Sequence, residues 1–236
     1  MVNHYLTFAG ANSLDYGVQI SGGGTYGAPE RVYEVVEVPG RNGNLLIDQN
    51  RYQNIQVSYP AFIARKFSEN VEGWRNWLLS HIGYQRLEDT YHPDEYRLAC
   101  YNDIFSVETT PANLGGRFEI NFTAKPQRFL KSGETEISVT SGMVLHNPTA
   151  FDAKPLIRTH GAGTITIGDQ SVIVASNDKS YIDIDVDMMD CRSGNTNMNS
   201  YVTFANGSFP VIPSGDTGVT FSGFSAVEIV PHWWKL

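Results

Sequence analysis

Asp183, Asp185 and Asp187 alternate with Ile182, Ile184 and Val186 in YIDIDVDMMD, and carboxylates at every second position could open a calcium-binding loop. Such a loop also needs glycine at its sixth position and a bidentate glutamate at its twelfth, where this sequence has Met188 and Gly194. The alternation describes instead a strand with an acidic outer face. Like charges in a row are unfavourable unless cations or a partner lie opposite, which leaves a weak metal contact or a basic partner open for these three residues.

Other motifs for chemistry are incomplete. Gly22, Gly24 and Gly27 in GGGTYG satisfy G-x-G-x-x-G, but a dinucleotide site needs a helix next, and here Ala28-Pro29-Glu30 leads into the strand-like RVYEVVEV. The six histidines, His4, His81, His92, His146, His160 and His232, do not fall at metal-ligand spacing from one another or from a cysteine. Cys100 and Cys191 are far apart and match no zinc or redox spacing, and a chain of this size needs no disulfide staple. No serine sits in G-x-S-x-G. The expectation is a protein with no catalytic residue, no bound metal and no cofactor. Trp233, Trp234, Tyr201, Phe204 and Phe209 could build an aromatic sugar platform, although core and interface packing is the commoner use of such residues.

One further residue type stands out by its place. EVPGRNGNLL puts Arg41 on a hairpin tip, where Asn42-Gly43 tolerates the positive φ of a type I′ turn and Pro39 fits a strand end. Read from the residues alone, Arg41 either stands on a solvent-exposed turn with no particular role or, aimed by that turn, meets an acidic or carbonyl-rich surface with its planar, multi-donor head.

The elements that carry these residues are mostly strands. Ile55, Val57 and Tyr59, and likewise Phe118, Ile120 and Phe122, alternate with polar neighbours, as half-buried strands do. In SENVEGWRNWLLSHIG, Val71, Trp74, Trp77, Leu78 and Ile82 recur at helical spacing, which predicts a helix over 69–82 with Ser68 as its cap and Gly83 at its end. YQRLEDTYHPDEYRLACYND reads as a hairpin turning at Pro93 and Asp94, either projecting or packed on its own sheet. AKPQRFLKSGE interrupts a regular strand with Pro126 and Ser132-Gly133 and reads as a boundary, giving domains 1–131 and 132–236. The second half contains many short strands between Gly, Asn and Pro, the pattern of a β-sandwich or jelly roll.

The bulk numbers narrow the function classes. With 17 Lys and Arg against 25 Asp and Glu, a formal net charge of -8 argues against a broad phosphate-binding surface. No apolar run approaches the roughly 20 residues of a membrane helix, and MVNHYLTFAG lacks the basic and apolar regions of a secretion signal, so synthesis and folding in a cytosol are expected.

Taken in order, FAGANSLDYGVQISGGGTYGAPERVYEVVEVPGRNGNLLIDQNRYQN, the tryptophan-bearing helix, GYQRLEDTYHPDEYRLACY, KPQRFLKSG, NPTAFDAKPLIRTHGAGTITI, YIDIDVDMMDC and FPVIPSGDTGVTFSG resemble the distal tail proteins of long-tailed bacteriophages and prophages. The resemblance implies a mainly β fold: an N-terminal β-sandwich with one helix and a projecting hairpin, then a C-terminal galectin-like sandwich. It also implies a hexameric hub ring at the virion tail tip, joining the tail-tube protein to the tail-tip protein. Receptor-binding or other baseplate proteins would be held by the outer domain, with no direct nucleic-acid binding and no membrane insertion. Under it, Arg41, Asn42 and Gly43, and Tyr91, His92, Pro93 and Asp94, become candidate contacts to a neighbouring subunit or the tube. Asp183, Asp185 and Asp187 become a candidate partner surface on the outer domain. The runner-up function is carbohydrate recognition through the C-terminal sandwich.

Overall fold

The computed structural model of the 236-residue chain describes residues 3–22 and 24–236. It divides into two compact units, one running to Arg128 and including Leu236, the other from Phe129 to Lys235. Among the described residues there is one α-helix, and the rest of the regular structure is strand and short 3-10 turns.

The first unit is built on an antiparallel sheet whose order is Ala11–Asn12, Leu6–Phe8, Gln85–Asp89, Glu95–Tyr101, Gly116–Leu130, Ile55–Ile63 and Val18–Ile20. An isolated bridge between His4 and Ile20, with the Ile20 amide donating to the His4 carbonyl at 3.0 Å, brings the two sides of this order together, so the sheet curls around its own core. Alternation dictates what faces inward: Val57, Tyr59, Ala61 and Ile63 are buried on one strand, Phe118, Ile120, Phe122 and Ala124 on its neighbour. Removing that apolar surface from water is what holds the curled sheet closed.

The helix α1, Phe67–Ser80, lays Phe67, Trp74 and Leu78 into this core, with Val71 and Trp77 packed at its margin. It starts and stops two residues earlier than the apolar spacing suggests. Ser68 lies inside its first turn and does not cap it; Lys66 occupies the cap position in a left-handed conformation (φ 47°), with no side-chain capping bond. Ile82, counted in the apolar stripe from sequence, lies past the end and is 92% exposed.

The second unit is a β-sandwich. A six-stranded antiparallel sheet, ordered Ile137–Ser138, Ala226–Val230, Leu156–His160, Ile182–Asp185, Asp190–Ser193 and Thr196–Asn197, encloses a core with a five-stranded sheet. The latter runs Met143–Asn147, Gly215–Ser222, Gly163–Ile167, Gln170–Val174 and Val202–Phe204. Ile157, Ile184, Ile229 and Cys191 from the first sheet meet Ile165, Ile167, Val172 and Val219 from the second, all essentially inaccessible. Mainly β architecture with one helix is thus both the expectation and the finding.

Candidate interaction surfaces

The first unit contains two hairpins with opposite fates. Among the described residues, strands Arg31–Val36 and Leu45–Tyr52 pair only with each other, and none of their residues is buried. The register sets Val35 opposite Leu46 and Val36 opposite Leu45, so neighbouring positions carry apolar side chains on both faces of the ribbon. Tyr33, Val35, Leu46, Leu45 and Ile47 are all exposed, Leu46 by 58%. At the root, Arg31 forms an ion pair with Asp48, its Nε donating to Oδ2 at 2.9 Å and its Nη1 donating to the Tyr52 hydroxyl at 3.1 Å. The guanidinium, together with the Asn50 amide, holds the Asp48 carboxyl below the usual carboxylate range.

The tip differs from the sequence expectation. The Arg41 amide donates to the Val38 carbonyl at 3.1 Å, closing a turn with Pro39 and Gly40 at its centre; Gly40 has φ 80°. Proline followed by a positive-φ glycine makes a type II turn. Asn42 does not adopt positive φ, so the type I′ turn expected at Asn42-Gly43 does not form, although Gly43 is left-handed (φ 80°). Proline's fixed φ at the turn's second position outweighs the Asn-Gly preference. Arg41 is exposed and among the described residues makes no side-chain hydrogen bond or ion pair.

The second hairpin, Gln85–Asp89 with Glu95–Tyr101, takes the packed alternative and forms the centre of the curled sheet. It turns at Pro93 and Asp94, with the Glu95 amide donating to the His92 carbonyl at 3.2 Å. Asp89 organises the turn: its Oδ1 accepts the amides of Tyr91 and His92, each at 2.9 Å, and its Oδ2 accepts the Tyr59 hydroxyl at 2.7 Å. Burial, and then the Asp89 charge, push the Tyr59 phenol well up. The Tyr91 ring stacks on His4 at 4.5 Å, so Tyr91 and His92 are half-buried while Pro93 and Asp94 are exposed. The projecting hairpin of the first unit is therefore the 31–52 ribbon.

A surface that sequence reasoning missed lies on the same unit. An open cleft of about 590 Å³ runs between Pro60–Ala64 and the segment 110–118. Gly116 is one of its lining residues and must be glycine for the packing beside the cleft, since a Cβ there would stand 2.5 Å from the Phe67 ring and 2.8 Å from Val107. Leu114, 72% exposed, stands at its edge.

On the second unit the three aspartates are provided for internally. Arg158 embraces Asp183 with two bonds, Nε to Oδ1 at 2.7 Å and Nη2 to Oδ2 at 3.1 Å, and Asp183 is only 7% exposed. Asp185 lies 3.7 Å from Arg192, and Asp187 accepts from Lys154 at 3.1 Å. Cross-strand register explains the pattern, for Glu228, Arg158, Asp183 and Arg192 stand side by side across the sheet and alternate in sign. The cations required opposite the acidic row are thus in the same fold. The strand ends at Asp185, and Asp187 sits in the following turn.

The aromatic residues considered for a sugar platform are largely engaged. Trp233 is buried, Trp234 stacks on Phe151 at 4.6 Å, and Phe204 packs on Phe209 at 4.1 Å. Both cysteines are free thiols, and burial pushes the Cys191 thiol up to about 12. Among the described residues no group of three His, Cys, Asp or Glu could hold a metal ion, and no helix is long and apolar enough to cross a membrane. Gly23 of the glycine-rich loop lies outside the described residues; Thr25 and its neighbours lead into a strand and not into a helix.

Compared as a whole, the structure superposes on SPP1 Dit with a TM-score of 0.74 at 11% identity, covering 96% of this chain and 97% of that one. The fold is that of SPP1 Dit. That protein is described as a paradigm of the hub adsorption apparatus in Gram-positive-infecting phages. A chain of the phage P2 baseplate in its activated conformation with Ca matches with a TM-score of 0.55 at 11% identity, covering 97% of both chains. The strontium form matches with a TM-score of 0.55 at 10% identity, covering 96% of both. No protein-family model and no curated protein matches the sequence.

Proposed function

We propose that this protein is a structural subunit of a phage tail tip, assembling into a hexameric hub ring between the tail-tube protein and the tail-tip protein. The observation that carries this reading is the correspondence of both units, in order and over nearly the full length, with SPP1 Dit. In it the first unit makes the ring, and the second holds receptor-binding or other baseplate proteins. A ring needs heterologous contacts, in which one patch of a subunit meets a different patch of the next. The 31–52 ribbon supports such a role. A lone two-stranded hairpin is marginal in water, and one that is apolar on both faces calls for cover from outside the protomer. Arg41, Asn42 and Gly43 then lie at the contact, with the exposed Pro93 and Asp94 turn as a second element beside the half-buried Tyr91 and His92.

Native mass spectrometry with negative-stain imaging tests the reading. The expected result is a six-fold ring from the chain alone or on addition of its tube and tip proteins. A chain that stays monomeric in both settings overturns it.

A further inference from the structure

The ribbon and the cleft are complementary in chemistry and sit at opposite ends of one strand. The ribbon leaves the fold next to Ile55: the Gln53 amide donates to the Glu30 carbonyl at 2.9 Å, and a Cβ on Gly27 would stand 3.3 Å from the Ile55 Cδ1. The cleft lies around Pro60–Ala64, at the far end of Ile55–Ile63. Five to nine residues of extended chain separate root from cleft by roughly 17–30 Å. No residue of the ribbon lines the cleft of its own copy, whereas a donor at one end of a strand and an acceptor at the other can meet between copies placed head to tail.

The fit extends to size and charge. A volume of about 590 Å³ falls within the roughly 300–1,000 Å³ of sites that enclose a whole small ligand, ample for several aliphatic side chains. Apolar lining comes from Pro60, Phe62, Leu114 and Phe118. Arg117, exposed on the same lining, has no hydrogen bond or ion pair among the described residues. The ribbon offers an apolar pair, Val35 opposite Leu46, and one residue beyond its first strand stands the exposed Glu37, which has no ion pair among the described residues.

We infer that the cleft at Pro60–Ala64 and 110–118 receives the 31–52 ribbon of a second copy of this chain. Val35 and Leu46 enter the cleft, and Glu37 comes to Arg117. This rests on the ring reading above and names its acceptor surface. It gives each copy one donor and one acceptor, which is the requirement for closing a ring by rotation.

The test uses the full chain with Leu46→p-benzoylphenylalanine, mixed with isotope-labelled copies, assembled with or without the tube and tip proteins, irradiated and mapped by mass spectrometry. Cross-links between a light and a heavy copy, joining position 46 to residues 60–64 or 110–118, are the expected result. A ring whose position 46 links elsewhere on a second copy, or to the tube or tip protein, overturns this inference and leaves the ring reading standing. A monomer in every mixture overturns both. A charge exchange supplies the second arm: Arg117→Glu and Glu37→Arg should each reduce ring yield several-fold, and the two together should restore most of it. Both positions are exposed, so all three variants should melt with the parent. Equal ring yield across the set counts against the Glu37–Arg117 contact.

Discussion

The two hairpins of the first unit share a motif and differ in everything that burial decides. In 85–101 one face of the pair is taken into the fold, so Leu87, Arg97, Ala99 and Tyr101 are buried, while Arg86, Glu88, Leu98 and Cys100 on the other face are half-buried. In 31–52 the apolar residues run consecutively, Val35-Val36 facing Leu45-Leu46-Ile47, which puts apolar groups on both faces of a ribbon with no third strand. A consecutive apolar run ordinarily marks a strand buried on both sides. Here neither side is buried within the protomer, and the sequence of the ribbon is better suited to an assembly than to the isolated chain. The packed hairpin holds the fold; the free one is available for contact.

The largest effect that would sharpen this contrast comes from matched truncations. Leu87→Ala in the packed hairpin should cost about 2–5 kcal/mol of protomer stability, since it leaves a cavity in a close-packed core. Leu46→Ala in the ribbon should stay within about 0.5 kcal/mol by denaturant titration and yet impair ring formation. Equal stability losses would erase the distinction between the two. Next in size, Tyr59→Phe removes the hydroxyl that donates to Asp89 Oδ2 and should cost about 1–3 kcal/mol, because the acceptor left behind sits in the organised turn of the packed hairpin.

Alkaline titration reads the packed hairpin in another way. Burial, and then the Asp103 charge, push the Tyr101 phenol up to about 12, against about 10 for an unfolded tyrosine. The folded state holds that proton more tightly, so the contribution is complete below pH 10 and is lost as pH rises from 10 through 12. Melting temperature should fall across that window, and less steeply in Tyr101→Phe. Among the described residues the Tyr101 hydroxyl has no hydrogen-bond partner, so the substitution breaks none of the bonds described. Identical slopes would show that other groups govern the alkaline limb.

What could be read in the sequence was what local period determines. Period two identified the strands, and the Trp74 and Leu78 spacing identified the helix. The helix ends were misplaced because Lys66 starts α1 by adopting φ 47° without a capping bond, a conformation that nothing in the residue type announces. At the 31–52 tip, two turn signals overlapped within Pro39–Gly43, and only the structure shows that Pro39-Gly40 prevails. The acidic row suggested a partner because Arg158, Arg192 and Lys154 are distant in sequence; register alone brings them opposite. The cleft was invisible for a similar reason, being assembled from Pro60–Ala64 and a loop some fifty residues later. The consecutive apolar run of the ribbon does not by itself mark a contact element, because Leu98-Ala99-Cys100-Tyr101 of the packed hairpin runs consecutively as well; only the strand pairing separates the two.

The smallest expected effect on the protomer belongs to Arg41. Its side chain makes no bond among the described residues, and the turn that carries it is closed by backbone, through the Arg41 amide and Val38 carbonyl, with Pro39 and Gly40 setting the angles. Arg41→Ala therefore removes a charge without touching the turn, and its melting temperature should match the parent within error. Gly40→Val is the complementary change: it keeps the guanidinium but asks a β-branched residue to hold φ 80°, so the tip should reshape and Arg41 should lose its aim. If the tip acts by presenting a charge in a fixed direction, both variants assemble poorly, and Arg41→Lys recovers only part of the loss because an ammonium lacks the planar fork. If Arg41→Ala assembles normally while Leu46→Ala does not, the ribbon works through its apolar faces alone, and Arg41 is a solvated residue on a rigid turn.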